Sequence, residues 1–255
     1  MKIFRRIAIF IGGGLILTGV FLMILSAAFG GKIDYSSGKE RIDVDTEYEN
    51  VTSIDIDYQS GSILIKQGEK FKVVAKNVLK NRFQSSVTDG VWTITDNKDS
   101  TFSFLSNFGW KKDSTVTIYI PGSVTLDDCK FTLGAGKIEA DSIRTKTFNV
   151  QVGAGSVNVK DLTAEDSELD CGVGSISIEG VLTGDSDIKS GVGEINLKVS
   201  GDLDAYDYNL KVGIGSIEIN DIKYSGVNDK EINNDNSTGS FKLDCGIGKI
   251  IIEIK

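Results

Sequence analysis

The chain has 255 residues, 40% hydrophobic and 25% charged, which is enough for one sizeable packed domain and argues against disorder. It contains no histidine, so Ser-His-Asp, Cys-His and histidine–zinc sites are excluded, and three cysteines without CxxC spacing give neither a zinc knuckle nor a disulfide framework. With 29 glycines, one proline and an excess of Ile, Val, Asp, Ser and Asn, the chemistry is that of strands and turns.

Residues 1–31 read as a basic cytoplasmic tip followed by an anchor. Lys2, Arg5 and Arg6 precede an uncharged apolar run from Ile7 to Phe29, long enough for a bilayer that takes about 20 residues to cross. Basic residues before the run and none directly after it predict the N-terminus inside and everything beyond Gly30 outside. The competing reading is a cleaved signal peptide, for which Ser26, Ala27 and Ala28 offer small residues, but the run exceeds the usual h-region of about 7 to 15 residues. Three of the 28 basic residues precede the span, so the outer part carries 25 against 36 acidic residues, a net charge of −11. Such a domain should repel nucleic acid and anionic headgroups.

Residues 32–50, charged and without strong periodicity, read as a tether, and 51–255 as an extracytoplasmic domain. In its first part, 51–121, strand signals recur in SIDIDY, SILI, FKVVA, VWTIT and STVTIYIP, and Gly61 to Ile65 echoes the later repeat. These are expected to be irregular opening strands that cap the repeats on their C-terminal side. The stretch TFSFLSNFGW (Phe102, Phe104, Phe108, Trp110) reads as a lid over an open end, or else as a contact for a membrane or partner.

From 122 to 255 one pattern recurs six times: FTLGAGKIEA, VQVGAGSVNV, LDCGVGSISI, IKSGVGEINL, LKVGIGSIEI and LDCGIGKIII. The first glycines are Gly134, Gly153, Gly172, Gly191, Gly213 and Gly246, spaced by 19, 19, 19, 22 and 33 residues. Apolar and polar residues alternate around each pair of glycines, the period of a strand with one buried face. The expected inward set is Phe131, Val150, Leu169, Ile188, Leu210 and Leu243 before the glycines. After them come Ile138, Val157, Ile176, Ile195, Ile217 and Ile250, then Ala140, Val159, Ile178, Leu197, Ile219 and Ile252. Ile143, Leu162, Val181 and Ile222 would complete four coils. One such coil cannot bury its own apolar face, so the fold class is all-β, a single-stranded parallel β-helix or β-solenoid with coils of about 19 residues.

The glycines supply corner conformations and close packing, and the residue between them (Ala135, Ala154, Val173, Val192, Ile214 or Ile247) is expected to point inward. No GxGxxG spacing or following helix supports a phosphate loop, and no Asp follows the second glycine as a calcium nonapeptide requires. The polar stretch KYSGVNDKEINNDNSTGS in the longest step reads as a loop extruded between coils. Cys171 and Cys245 share a ladder three coil steps apart, about 14 Å at ~4.8 Å per step, so they and Cys129 are expected to be free.

The layout of apolar anchor, strands ending in IYIPGSVTL and repeats such as GAGSVNVKDLTA and GVGSISIEG resembles the bacterial putative-adhesin family of membrane-anchored β-solenoid proteins, which includes a protein of the Lia cell-envelope stress operon. The resemblance implies a β-helix-like fold and an envelope location, and brings no catalytic residues. Outward Asp170, Asp187 and Asp244 are the candidates for carboxylate chemistry on polysaccharide, but the ladder Thr132, Gln151, Asp170, Lys189, Lys211, Asp244 mixes signs as a solvated surface does. No residue is therefore assigned a catalytic, cofactor-binding or metal role, and no cofactor is expected. The function read from the sequence is a non-enzymatic, membrane-anchored envelope binding or stress-response component. A carbohydrate-active β-helix enzyme is the alternative and a true adhesin a third reading. Its partners would be the cytoplasmic membrane through one span and an envelope protein or polysaccharide, not nucleic acid.

Overall fold

The computed structural model describes residues 40–96 and 114–255. The apolar run 7–29, the first part of the expected tether and the aromatic stretch 101–110 lie outside the described residues. Among the described residues no helix is long and apolar enough to cross a membrane.

Among the described residues the alternating segments form eighteen strands. The opening ones are β1 (Arg41–Tyr48), β2 (Ser53–Gly68), β3 (Phe71–Leu79), β4 (Gln84–Thr88), β5 (Val91–Thr95) and β6 (Thr115–Pro121). The repeats supply β7 (Leu126–Ala140), β8 (Ile143–Val152), β9 (Ser156–Cys171), β10 (Ser175–Leu182), β11 (Asp185–Ser190) and β12 (Glu194–Val199). The last third holds β13 (Tyr206–Val212), β14 (Ser216–Ile219), β15 (Ile222–Ser225), β16 (Asn228–Ile232), β17 (Gly239–Cys245) and β18 (Lys249–Ile254).

β9 shows how one coil is built, because its 16 residues run along three sides. Ser156 to Val159 pair with β7 and β10, Leu162 to Ala164 with β8 and β10, and Ser167 to Cys171 with β8 and β11, all in parallel. Every side therefore finds its backbone partners in the coils above and below, which is how a 19-residue turn of chain satisfies its polar groups. The first coil is β2, whose Ser60 and Gly61 stand opposite Ala135 and Gly136.

The residues expected inward on both sides of the corner are all buried. Two on the third side are not. The register slips between Ile178 and Gly180, so Gly180 takes the place opposite Leu162 and Leu182, not Val181, is buried. Ile222 is exposed because its strand runs the other way. Within the core, adjacent coils meet through specific side chains: Phe131 packs edge-on against Phe148 at 5.4 Å, diagonally across the ladder, and the buried Ser167 hydroxyl donates to that of Ser186, opposite it, at 2.9 Å.

Both ends of the stack are closed by antiparallel strands. At the first end β5 pairs with β2 and is covered by β4, while β6 pairs with β2 and is covered in turn by β3 and β1. The segment expected as tether is thus an edge strand over 41–48, held by alternate contacts of Ile42, Val44 and Tyr48 with the core. At the first corner the Gln59 and Ser60 amides meet Asp96: its carboxylate accepts from Gln59 N at 2.5 Å and Ser60 N at 3.3 Å, with Arg82 at 3.4 Å. Burial pushes the Asp96 carboxyl above its usual range, against those hydrogen bonds and the guanidinium.

The other end departs from the expected order of coils. The coil of β17 and β18 does not stack last; it lies between β11–β12 and β13–β14, parallel to both. The step from Gly191 to Gly213 therefore climbs two rungs, and the 3-10 turn Leu203–Ala205 lies on that climb. The polar stretch expected as an extruded loop instead forms β15 and β16, a reversed coil antiparallel to β14 and β13 that closes the end.

The corner glycines are explained by distance more than by conformation. Among the second glycines only Gly61 and Gly136 have positive φ. A Cβ on Gly174 would stand 1.9 Å from the Gly155 carbonyl oxygen, and one on Gly248 2.0 Å from that of Gly193. Gly174→Ala and Gly174→Val should both lower the melting temperature, by the equivalent of about 1–3 kcal/mol for the alanine and more for the valine. An unchanged melting temperature for Gly174→Ala would mean that the corners are not in such contact.

Candidate functional site

The corner ladder is the most unusual surface of the described residues. Between inward Cys171 and Gly174, whose Cβ would meet Val152 and Gly155, the corner holds two residues where strict alternation allows one: Gly172 lies against the Gly153 carbonyl of the next coil and Val173 faces out. The residue between the glycines therefore points to solvent, contrary to the inward placement that alternation suggested. Corner backbone bonds such as Val173 N to Gly153 O, Val192 N to Gly172 O, Ile247 N to Gly191 O and Ile214 N to Gly246 O set the order of the rungs. It runs Ser60, Ala135, Ala154, Val173, Val192, Ile247, Ile214.

The reversed coil turns the same corner at Gly226 and Val227, since Ser225 stands opposite Ser216 and Asn228 opposite Val212. Val173, Val192, Ile247, Ile214 and Val227 thus form five consecutive exposed rungs, with exposures of 67, 56, 59, 79 and 93%. Glycine on either side leaves each of the first four standing proud. Elsewhere among the described residues only Val91 and Ile222 are large exposed hydrophobics, so the exposure is concentrated on this ridge.

Two charged columns flank it. On one side the rungs read Asp170, Lys189, Asp244, Lys211, because the inserted coil puts Asp244 between the two lysines and not after them. On the other they read Ser175, Glu194, Lys249, Ser216. Lys211 lies 3.8 Å from Asp244, Lys189 3.3 Å from Asp187 and Lys249 3.1 Å from Glu218. Asp187 also meets Lys242 at 2.7 Å; burial opposes its ionisation, but hydrogen bonds from the two lysines outweigh this and hold its carboxyl below the usual range.

The three carboxylates considered for catalysis are thus spread over successive rungs and interleaved with lysines. Among the described residues no group of three or more Cys, Asp and Glu is placed to hold a metal. Among the described residues there are shallow depressions: one of about 370 Å³ is lined by Lys130, Asn149, Gln151, Glu168 and Asp170, and one of about 470 Å³ by Glu47, Lys70, Lys72 and Tyr119. A smaller apolar one of about 160 Å³, beneath Ile222, Tyr224 and Ile232, belongs to the end cap.

Cys171 and Cys245 line the inner side of the corners, whereas Cys129 lies further back on its strand, opposite Ile54 and Phe148. Cys171, Ser190 and Cys245 occupy successive rungs, so the two thiols are two steps apart and not the three that sequence order implied. At ~4.8 Å per step that is still about 10 Å, beyond disulfide reach. All three thiols are free and buried, and burial pushes each above its ordinary pKa. The Cys245 thiol donates to the Gly248 carbonyl at 3.1 Å, as the Ser190 hydroxyl does to Gly193 at 2.8 Å.

Stacked coils, capped ends and a ladder of side chains displayed on a corner define this as a β-solenoid. The sequence profile of the Toastrack DUF4097 family matches residues 51–245. The chain belongs to that family. Among solved structures it is similar to a putative cell adhesion protein from Clostridium sporogenes, at 16% identity over 85% of this chain and 100% of that one, with a TM-score of 0.40. A putative adhesin from Bacteroides fragilis matches at 17% identity over 84% and 97%, with a TM-score of 0.39. A putative lipid binding protein from Parabacteroides distasonis matches at 12% over 85% and 97%, with a TM-score of 0.36. No curated protein matches the chain.

Thiol counting in denaturant without reductant should find three free thiols, and labelling of the native protein should be slow, since each must wait for local opening. A Cys171–Cys245 bridge would contradict the rung order.

Proposed function

We propose that the chain is a membrane-anchored, extracytoplasmic solenoid that works by contact, as a binding or stress-response component of the cell envelope. The observation that carries the contact reading is the continuous ridge of exposed Val and Ile along one corner. Such a surface is unfavourable in water unless something covers it for part of the protein's life. The shallow depressions found among the described residues, whose lining includes the ion-paired Lys70, Lys72 and Glu168, offer contact area more than an enclosed reaction site. Anchoring is supported by Lys2, Arg5 and Arg6 before an uncharged run of bilayer length.

Protease added to intact, wall-stripped cells should remove the domain while the protein stays in the membrane fraction. Recovery of most of it from the medium without residues 1–28 would favour a cleaved leader and overturn the anchor.

A further inference from the structure

The charges beside the ridge say what can cover it. We propose that the ridge docks against the same ridge of a second copy, the two running antiparallel about a two-fold axis between the rungs of Val192 and Ile247. This rests on the reading of the domain as a contact module and names its partner.

In that arrangement Val192 meets Ile247 of the other copy, Val173 meets Ile214, and Ala154 meets Val227, so every apolar rung is covered by another. On the first flank Lys189 falls opposite Asp244 and Asp170 opposite Lys211. On the second flank Glu194 falls opposite Lys249, and Ser175 opposite Ser216. The charged rungs from Asp170 to Lys211 and from Glu194 to Lys249 thus meet the opposite sign, while Asp229, on the reversed coil beside Lys211, falls opposite Gln151.

The register is specific. Moving the axis by half a rung sets lysine against lysine on the first flank. A whole-rung shift keeps only part of the first flank matched and leaves Glu194 and Lys249 facing serines. A parallel pairing would face one flank with the other at the same rung, matching only Lys189 with Glu194 and Asp244 with Lys249.

Two further observations favour a copy of this chain. The seven flanking charges, Asp229 included, sum to −1 on a domain of net charge −11, so this stripe is nearly neutral, two copies repel little along it and an anionic bilayer finds no attraction. The apolar rungs are confined to one half of the ladder, with Ser60, Ala135 and Ala154 at the other. Strand propensity alone would be met by threonine, so it does not account for five exposed Val and Ile in a row.

A stripe one residue wide buries less than the ~800 Å² per partner of a standard interface, so the pairing is weak in dilute solution and gains from confinement on a shared membrane. The test therefore uses the full chain in its own membranes, in a Cys171→Ser background, serine being native to the equivalent position 190. Val173→Cys and Ile214→Cys chains with different tags are co-expressed and oxidised. Positions 173 and 214 are three rungs apart within one chain, about 14 Å, so a bridge joining them must be between copies.

A covalent dimer from the mixture, with at least several-fold less from either variant alone, is the expected result. Asp170→Lys should cut that yield several-fold, and adding Lys211→Asp should restore it. Self-crosslinking of Val173→Cys alone would overturn the antiparallel pairing. The absence of any dimer would overturn self-association; capture of a different envelope protein at either cysteine would then leave the contact reading standing with another occupant.

Discussion

The structure depends on how closely one corner sits on the next. With a carbonyl oxygen within about 2 Å of where a Cβ would stand at Gly174 and Gly248, the second corner residue can be nothing but glycine. That contact lets the two flanking strands keep one spacing on either side of the bend, so Leu169, Ile176 and Ile178 fall onto their counterparts in the neighbouring coils. The core ladders and the outer ridge follow from the same bend. Each corner takes one residue more than alternation allows, and that residue is displayed to solvent.

A ladder of this kind has to stop, and the two ends do so differently. At the first, antiparallel strands cover β5 and β6, and the Asp96 carboxylate accepts from the corner amides of Gln59 and Ser60 while Arg82 offsets its charge. At the second, the chain reverses, and β15 and β16 offer antiparallel partners to β14 and β13. The final coil then slots inside the stack, so the C-terminal strand is paired on both sides and does not form an exposed edge.

What the sequence made legible were the local features. Alternation placed the inward residues on both sides of every corner, because period two is a property of a single strand. The echo between Gly61 and the later repeats was also visible, since it lies in adjacent residues. The rung order was not, because pairing between residues such as Cys245 and Ser190 is a matter of distant chain segments that no local pattern encodes. The step of 22 residues to Gly213 was the available hint: it exceeds a coil by three residues, the length of the turn at Leu203–Ala205. The outward ridge was misread because alternation was carried through a bend that breaks it. The Asp96 cap left no signal, as its partners lie 36 and 37 residues away.

The insertion of the last coil decides which residues neighbour each other along the ridge, and one covalent probe reads it directly. Val192 and Ile247 lie on adjacent rungs, ~4.8 Å apart, within the range a disulfide spans, whereas Val192 and Ile214 are two rungs apart. In a Cys171→Ser and Cys245→Ser background, Val192→Cys with Ile247→Cys should form an intramolecular bridge on mild oxidation. Val192→Cys with Ile214→Cys should not. The opposite outcome, a bridge between 192 and 214 alone, would restore simple sequential stacking and contradict this account of the fold.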